Sequence, residues 1–136
     1  MNNLNIVERH NQNVAVLDLT GKIKMGDDIG KLGMALQVVG SDGVKNVLLN
    51  MAGISYIDSS GLGELIAVYH AVKRRGGELK LLHLTDRVSQ LMVITKLLTV
   101  FESFDGEDEA VRSFQTVSKG QTESVTGKLD RALLSQ

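Results

Sequence analysis

The sequence predicts an α/β domain: a mixed β-sheet of about five strands, the N-terminal strand antiparallel, with about four helices packed on it. Three observations predict it. Leu4-Asn5-Ile6-Val7-Glu8-Arg9 and Val14-Ala15-Val16-Leu17-Asp18-Leu19 are short, β-branched runs separated by the polar His10-Asn11-Gln12-Asn13, which reads as an antiparallel hairpin. Val44 to Met51 is almost continuously apolar, through Val44, Val47, Leu48, Leu49 and Met51, the pattern of a central strand covered on both faces. Strand-like and helix-like runs then alternate in the order β-β-α-β-α-β-α-β-α, which implies parallel strands joined by right-handed helical crossovers.

Each element has its own signal. Thr20-Gly21 closes the second strand, and Asp27 or Asp28 then caps a helix whose Ile29, Leu32, Leu36 and Val39 keep helical spacing until Gly40-Ser41-Asp42-Gly43 ends it. After the central strand, Leu62, Leu65, Ile66, Tyr69 and Val72 form one helical face, with Glu64, His70, Lys73 and Arg74 largely on the other. Arg75-Gly76-Gly77 stops that helix. Leu79 to Leu84 is the next strand, and Asp86 caps a helix carrying Val88, Leu91, Met92, Thr95 and Leu98 at core spacing. Val100 to Phe104 is a short last strand. Glu107-Asp108-Glu109 opens a final helix, where acids complement the helix dipole, with Ala110, Val111 and Phe114 following. From Val117 to Gln136 the composition turns polar, and Val125, Leu129, Ala132 and Leu133 are the apolar residues of a tail that is either a short helix or disordered.

Composition removes several function classes. At 136 residues the chain is one domain with a core of its own, 43% hydrophobic and 23% charged. With no cysteine there is no disulfide, thiolate metal site or cysteine nucleophile. Fifteen basic against sixteen acidic residues give no field to hold nucleic acid directly. No run reaches the ~20 apolar residues of a membrane span, and the first residues carry no secretory pattern, so a cytoplasmic location is expected.

The stretch from Ile54 to Gly63 concentrates the remaining chemistry. Asp58, Ser59 and Ser60 sit where an extended run becomes helical, and the plain reading of such residues is a helix cap. A capping box, however, needs Glu or Gln three residues after the serine, and Leu62 and Gly63 stand there instead. Gly61 and Gly63 in a first turn cost up to ~1 kcal/mol each against alanine, so close approach of another backbone or molecule is expected. Catalysis is unsupported: His10, His70 and His83 are scattered singly, and no catalytic residue is assigned. Gly61-Leu62-Gly63 lacks a third glycine at Ile66, and neither Gly21-Lys22 nor Gly127-Lys128 is followed by serine or threonine. Asp27-Asp28 and Glu107-Asp108-Glu109 read as helix starts and solvated faces rather than metal ligands, and Lys73, Arg74 and Arg75 as a solvated helix end. No metal and no cofactor is expected.

Asp58-Ser59-Ser60-Gly61-Leu62-Gly63, preceded by Asn46-Val47-Leu48-Leu49-Asn50-Met51 and followed by the Glu64 to Lys73 helix and Gly76-Gly77, closely resembles the STAS-domain anti-sigma factor antagonists of bacteria. The resemblance covers about Leu4 to Phe114, Leu19-Thr20-Gly21 included. It implies a STAS-like domain over residues 1–116 followed by the tail, 117–136. In that family the first serine of the motif, here Ser59, is phosphorylated by a serine kinase that is also the anti-sigma factor, and a serine phosphatase resets it. The unphosphorylated antagonist binds the kinase and frees the sigma factor.

The resemblance therefore implies a non-enzymatic switch phosphorylated at Ser59, with Ser60 as the alternative site. Its partner-binding surface is expected to comprise Lys22, Lys24, Asp58, Ser59, Ser60, Gly61, Leu62 and Gly63. Lys22 and Lys24 stand where members of the family often carry acids. A rival reading is a STAS scaffold or accessory subunit of a stress-signalling or lipid transport complex, whose same surface holds a permanent partner. Sequence leaves the oligomeric state open.

Overall fold

A computed structural model of the chain describes residues 3–26 and 28–120, with side chains through residue 115. Strands β1 (Asn5–Asn11), β2 (Val14–Ile23), β3 (Asn46–Ile57), β4 (Leu79–Leu82) and β5 (Ser103–Phe104) form one sheet in the order β1-β2-β3-β4-β5. β1 is antiparallel to β2, across a tight turn with Gln12 left-handed, and all other pairings are parallel. Strand order thus follows chain order, and right-handed crossovers then put every connecting helix on one face. Helices α1 (Lys31–Ser41), α2 (Ser59–Arg74) and α3 (Asp86–Ile94) occupy it, burying Leu32, Leu36, Leu65, Val72, Val88 and Met92 against Leu17, Leu49 and Leu81. The opposite face carries α4 (Glu107–Gly120), whose Ala110, Val111 and Phe114 cover Val14, Val16, Leu48 and Leu82. This two-sided burial explains the apolar run in β3: Val47 and Leu49 face one core, Leu48 the other.

Several boundaries differ from the sequence reading. β2 does not close at Thr20-Gly21, and β3 does not end at Met51; the two run on together through Gly21↔Ile54, Lys22↔Tyr56 and Ile23↔Ile57. Glycine permits this, since a Cβ on Gly53 would lie 2.5 Å from the Thr20 methyl and 2.7 Å from the Leu19 carbonyl oxygen. Asp28 does not cap α1, because its carboxylate accepts the Leu4 N–H at 2.8 Å while the helix starts after left-handed Gly30. Ile29 consequently lies before α1 and is exposed; Asp27 lies outside the described residues. Thr85, rather than Asp86, caps α3 by accepting the Val88 N–H at 3.3 Å. Leu98 leaves that helix for a 3₁₀ turn, Leu97–Thr99, and Phe101 drops into the main core, so the last apolar run yields only a two-residue β5. β4 stops at Leu82, because His83 takes a left-handed φ of 57°. Residues 121–136 of the expected tail lie outside the described residues.

Candidate functional site

The carboxyl ends of parallel strands are where an open α/β sheet presents its loops. β3 ends there at Ile57, and Asp58 turns the chain into α2 with extended backbone angles, φ −102° and ψ −175°. Its carboxylate is shared between two segments. Oδ1 accepts the Gly61 N–H at 2.9 Å, which caps α2, and Oδ2 accepts the Met25 N–H at 3.0 Å, which ties down the segment after β2. The Asp58 N–H in turn donates to the Ile23 carbonyl at 3.2 Å. The N–H groups of Gly61 and Met25, then that of Ser60 and the charge of Lys24, hold the Asp58 carboxyl below its ordinary range.

This arrangement separates the two glycines. A Cβ on Gly61 would lie 2.0 Å from the Ile23 carbonyl oxygen and 2.9 Å from an Ile57 methyl carbon, so α2 can start against the end of β2 only with glycine there. Gly63 has nothing within 4 Å of such a Cβ and faces open space. The first glycine is needed by the fold. The second leaves a bare place on the outer surface of α2.

The expected site residues divide in the same way. Ser59 is exposed at the first helical position, and Ser60 is partly exposed beside it. Among the described residues neither hydroxyl has a hydrogen-bond partner, because Asp58 has taken the cap. Lys24 is exposed close to Asp58. Lys22 is partly covered, its Nζ 5.7 Å from the centre of the Tyr56 ring. Gly61 and Leu62 turn inward, Leu62 being 9% exposed in the main core. Sequence reasoning missed Met25 and Ile23, which fix Asp58 through backbone atoms, for which no side-chain signal exists.

Other candidate groups stay apart. His10 pairs with Glu8 at 2.7 Å on β1, His70 meets the Tyr69 ring edge-on on α2, and His83 ends β4. Arg75 donates to the Leu36 and Val44 carbonyls at 3.3 and 3.4 Å, so it closes the end of α1 rather than joining a basic patch. Among the described residues no three carboxylate or imidazole side chains gather as a metal site requires, and no helix is long and apolar enough to cross a membrane.

The STAS domain family matches residues 5–110, which span the whole sheet and the start of α4. The chain belongs to the STAS domain family. Among curated relatives, this STAS domain is similar to the anti-sigma F factor antagonist of Paenibacillus polymyxa, 24% identical over 117 residues that cover 85% of this chain and 99% of the relative. Among solved structures it is similar to an anti-sigma factor antagonist from Mycobacterium paratuberculosis, with a TM-score of 0.72 at 18% identity over 84% of this chain and 96% of the other. It also resembles the Bacillus cell fate determinant SpoIIAA in its phosphorylated form, with a TM-score of 0.61 at 16% identity over 80% and 98% of the two chains. These likenesses share the STAS fold; in this chain the β3–α2 junction carries Ser59 and Ser60.

Proposed function

We propose that this STAS domain is an anti-sigma factor antagonist switched by phosphorylation of Ser59. The unphosphorylated form binds an anti-sigma factor that is also a serine kinase and so releases a sigma factor; a serine phosphatase restores it. The observation that carries the reading is an exposed serine at the first position of α2 whose hydroxyl is uncommitted, because the neighbouring Asp58 does the capping. Such a hydroxyl can accept the γ-phosphoryl group of ATP, losing its proton, without dismantling the turn. Ser60, less exposed and one residue deeper in the helix, is the secondary candidate.

The docking surface comprises Ser59, Ser60 and Gly63 on α2, with Lys22 and Lys24 beside them; Asp58, Gly61 and Leu62 support it from beneath. A phosphoserine adds roughly −1.5 to −2 charges at neutral pH, which a helix N-terminus and Lys24 accommodate. The fold therefore persists while the surface changes. Bulk and negative charge appear beside the bare Gly63, and an acidic or closely packed partner is repelled.

Incubation with the cognate anti-sigma kinase and ATP, followed by intact-mass analysis, tests the site: one phosphate is expected on the wild type and none on Ser59→Ala. Uptake by Ser59→Ala equal to the wild type moves the site to Ser60 or elsewhere. Ser59→Asp is expected to keep its circular dichroism and melting temperature yet bind the anti-sigma factor at least about tenfold more weakly, a difference of ~1.4 kcal/mol. Unchanged affinity by calorimetry removes the charge mechanism.

A further inference from the structure

Among the described residues β1 is an open edge of the sheet, with β2 on one side of it and no strand on the other. Its ladder to β2 runs without a register shift from Asn5↔Thr20 to Asn11↔Val14. Only Gln12 and Asn13 separate Asn11 from Val14, so that last pair exchanges both of its main-chain hydrogen bonds, and by alternation Arg9, Val7 and Asn5 bond to β2 as well. The main-chain N–H and C=O groups of Ile6, Glu8 and His10 therefore point outward, and none has a hydrogen-bond partner among the described residues. Such an edge is a template for another strand.

The helix above this edge is apolar on its outer side. α1 turns Leu32, Leu36 and Val39 to the core and its glycines to α2: the Gly33 N–H donates to Glu64 at 3.3 Å, and a Cβ on Gly40 would lie 3.2 Å from the Arg75 guanidinium. Successive residues advance ~100° around a helix, so Met34 and Val38 lie away from α2, on the β1 side, where Lys31 donates to the Leu4 carbonyl at 2.6 Å. They are 68% and 56% exposed. Val7 alternates with Ile6, which packs on the main core, so it faces the other side of the sheet, and it is 61% exposed.

We propose that β1 pairs antiparallel with β1 of a second copy, joining two sheets into one across a two-fold axis at Val7. Charge selects that register. An axis at Glu8 or Arg9 sets like charges directly opposite each other, and an axis nearer either end pairs fewer of the outward groups. With the axis at Val7, Ile6 opposes the second copy's Glu8, Asn5 opposes its Arg9, and the two Val7 side chains meet at a close, non-hydrogen-bonded position. The same axis runs the two α1 helices antiparallel, with Met34 toward the second copy's Val38 and Lys31 toward its Asp42. One patch thus serves both copies, as a closed dimer requires. A lone peptide strand would cover the edge and leave Met34 and Val38 in water.

Sedimentation equilibrium of the full chain tests this and needs neither kinase nor nucleotide, so its result is separate from that for Ser59 phosphorylation. A concentration-dependent monomer–dimer equilibrium is expected, weakened about tenfold or more by Met34→Glu and by Val7→Lys. Both side chains are exposed, so circular dichroism should match the wild type. Glu8→Pro removes an outward N–H and no bond to β2, and is expected to weaken the dimer equally. The chain has no cysteine, so Val7→Cys reports the register: mild oxidation is expected to link two copies at least about ten times faster than with Glu8→Cys. A chain that stays monomeric at about 1 mM, a dimer indifferent to Met34→Glu and Val7→Lys, or equal linking by the two cysteine variants overturns the proposal. So does slow hydrogen exchange of the Ile6, Glu8 and His10 amides in dilute, monomeric chain, which would mean that the chain's own residues already cover the edge.

Discussion

Gly61 and Gly63 stand two residues apart in the same helical turn and answer to different demands. Gly61→Ala drives a methyl group into the Ile23 carbonyl, where backbone rather than a flexible side chain must yield. A loss of ~1–3 kcal/mol is expected, as for other overpacked sites, measurable as a lower urea midpoint. Gly63→Ala meets nothing and replaces a poor helix former with the best one, so a gain of up to ~1 kcal/mol is expected by the same measurement. Equal destabilisation by both substitutions would refute this division. The sequence made the excess of glycine visible but not its partition, because the carbonyl that forbids a side chain at Gly61 comes from Ile23, 38 positions away in the chain. The place of Ser59 at a strand-to-helix turn was legible from its motif. Met25 was not, since it contributes only a backbone N–H.

At the scale of elements, α4 is held differently from the other helices. Its apolar contact is a small satellite cluster, and polar links at the sheet supplement it. Lys80 on β4 is 2% exposed; its ammonium donates to Ser113 Oγ at 2.8 Å, lies 3.1 Å from Glu102 and sits 4.8 Å from the centre of the Phe114 ring. Glu102 is well exposed and stays hydrated when that charge is removed. Lys80→Met, an unbranched apolar side chain one atom shorter, is therefore expected to be neutral or stabilising. Lys80→Ala opens space between Phe104 and Phe114 and is expected to cost ~2 kcal/mol or more in urea unfolding. A severe loss with Lys80→Met would assign the ammonium a larger part than packing. The helical and strand periods placed these elements well where one face meets a core. They failed at β5 and at the ends of β2 and β3, where strand pairing and a buried Phe101 overrode the local pattern.

Over the whole molecule, charge fastens the hairpin to the last helix. The Arg9 guanidinium donates to Asp18 Oδ2 at 2.7 Å and to Glu107 oxygens at 2.7 and 2.8 Å, while Asn50 and Asn11 donate to the same two carboxylates. Arg9 first, then Asn50 for Asp18 and Asn11 for Glu107, lowers both carboxyls below their ordinary values of 3.8 and 4.5. Carboxyls whose values fall on folding add stability that is present above those ordinary values and is lost as pH drops through the lowered ones. Stability should accordingly be level near neutrality and decline on acidification below about 4.5. Because Arg9 is substantially exposed, the network is expected to contribute only ~0.5–1 kcal/mol. Urea titrations at pH 7, 5, 4 and 3 check this: Arg9→Met should be slightly less stable at pH 7, and its gap to the wild type should narrow as the pH falls. A constant gap across that range would show that Arg9 acts through packing alone.

Asp58 divides its two oxygens between Gly61 at the start of α2 and Met25 after β2. One carboxylate thereby couples two segments that share no sequence neighbourhood. A molecule that tightens the segment around Met25 firms the same acid's grip on the helix, and by thermodynamic reciprocity a charge added on the first turn of α2 is felt at Met25. Under the proposed switch, a contact near Met25 and a phosphate on Ser59 would each be felt at the other segment through this one carboxylate.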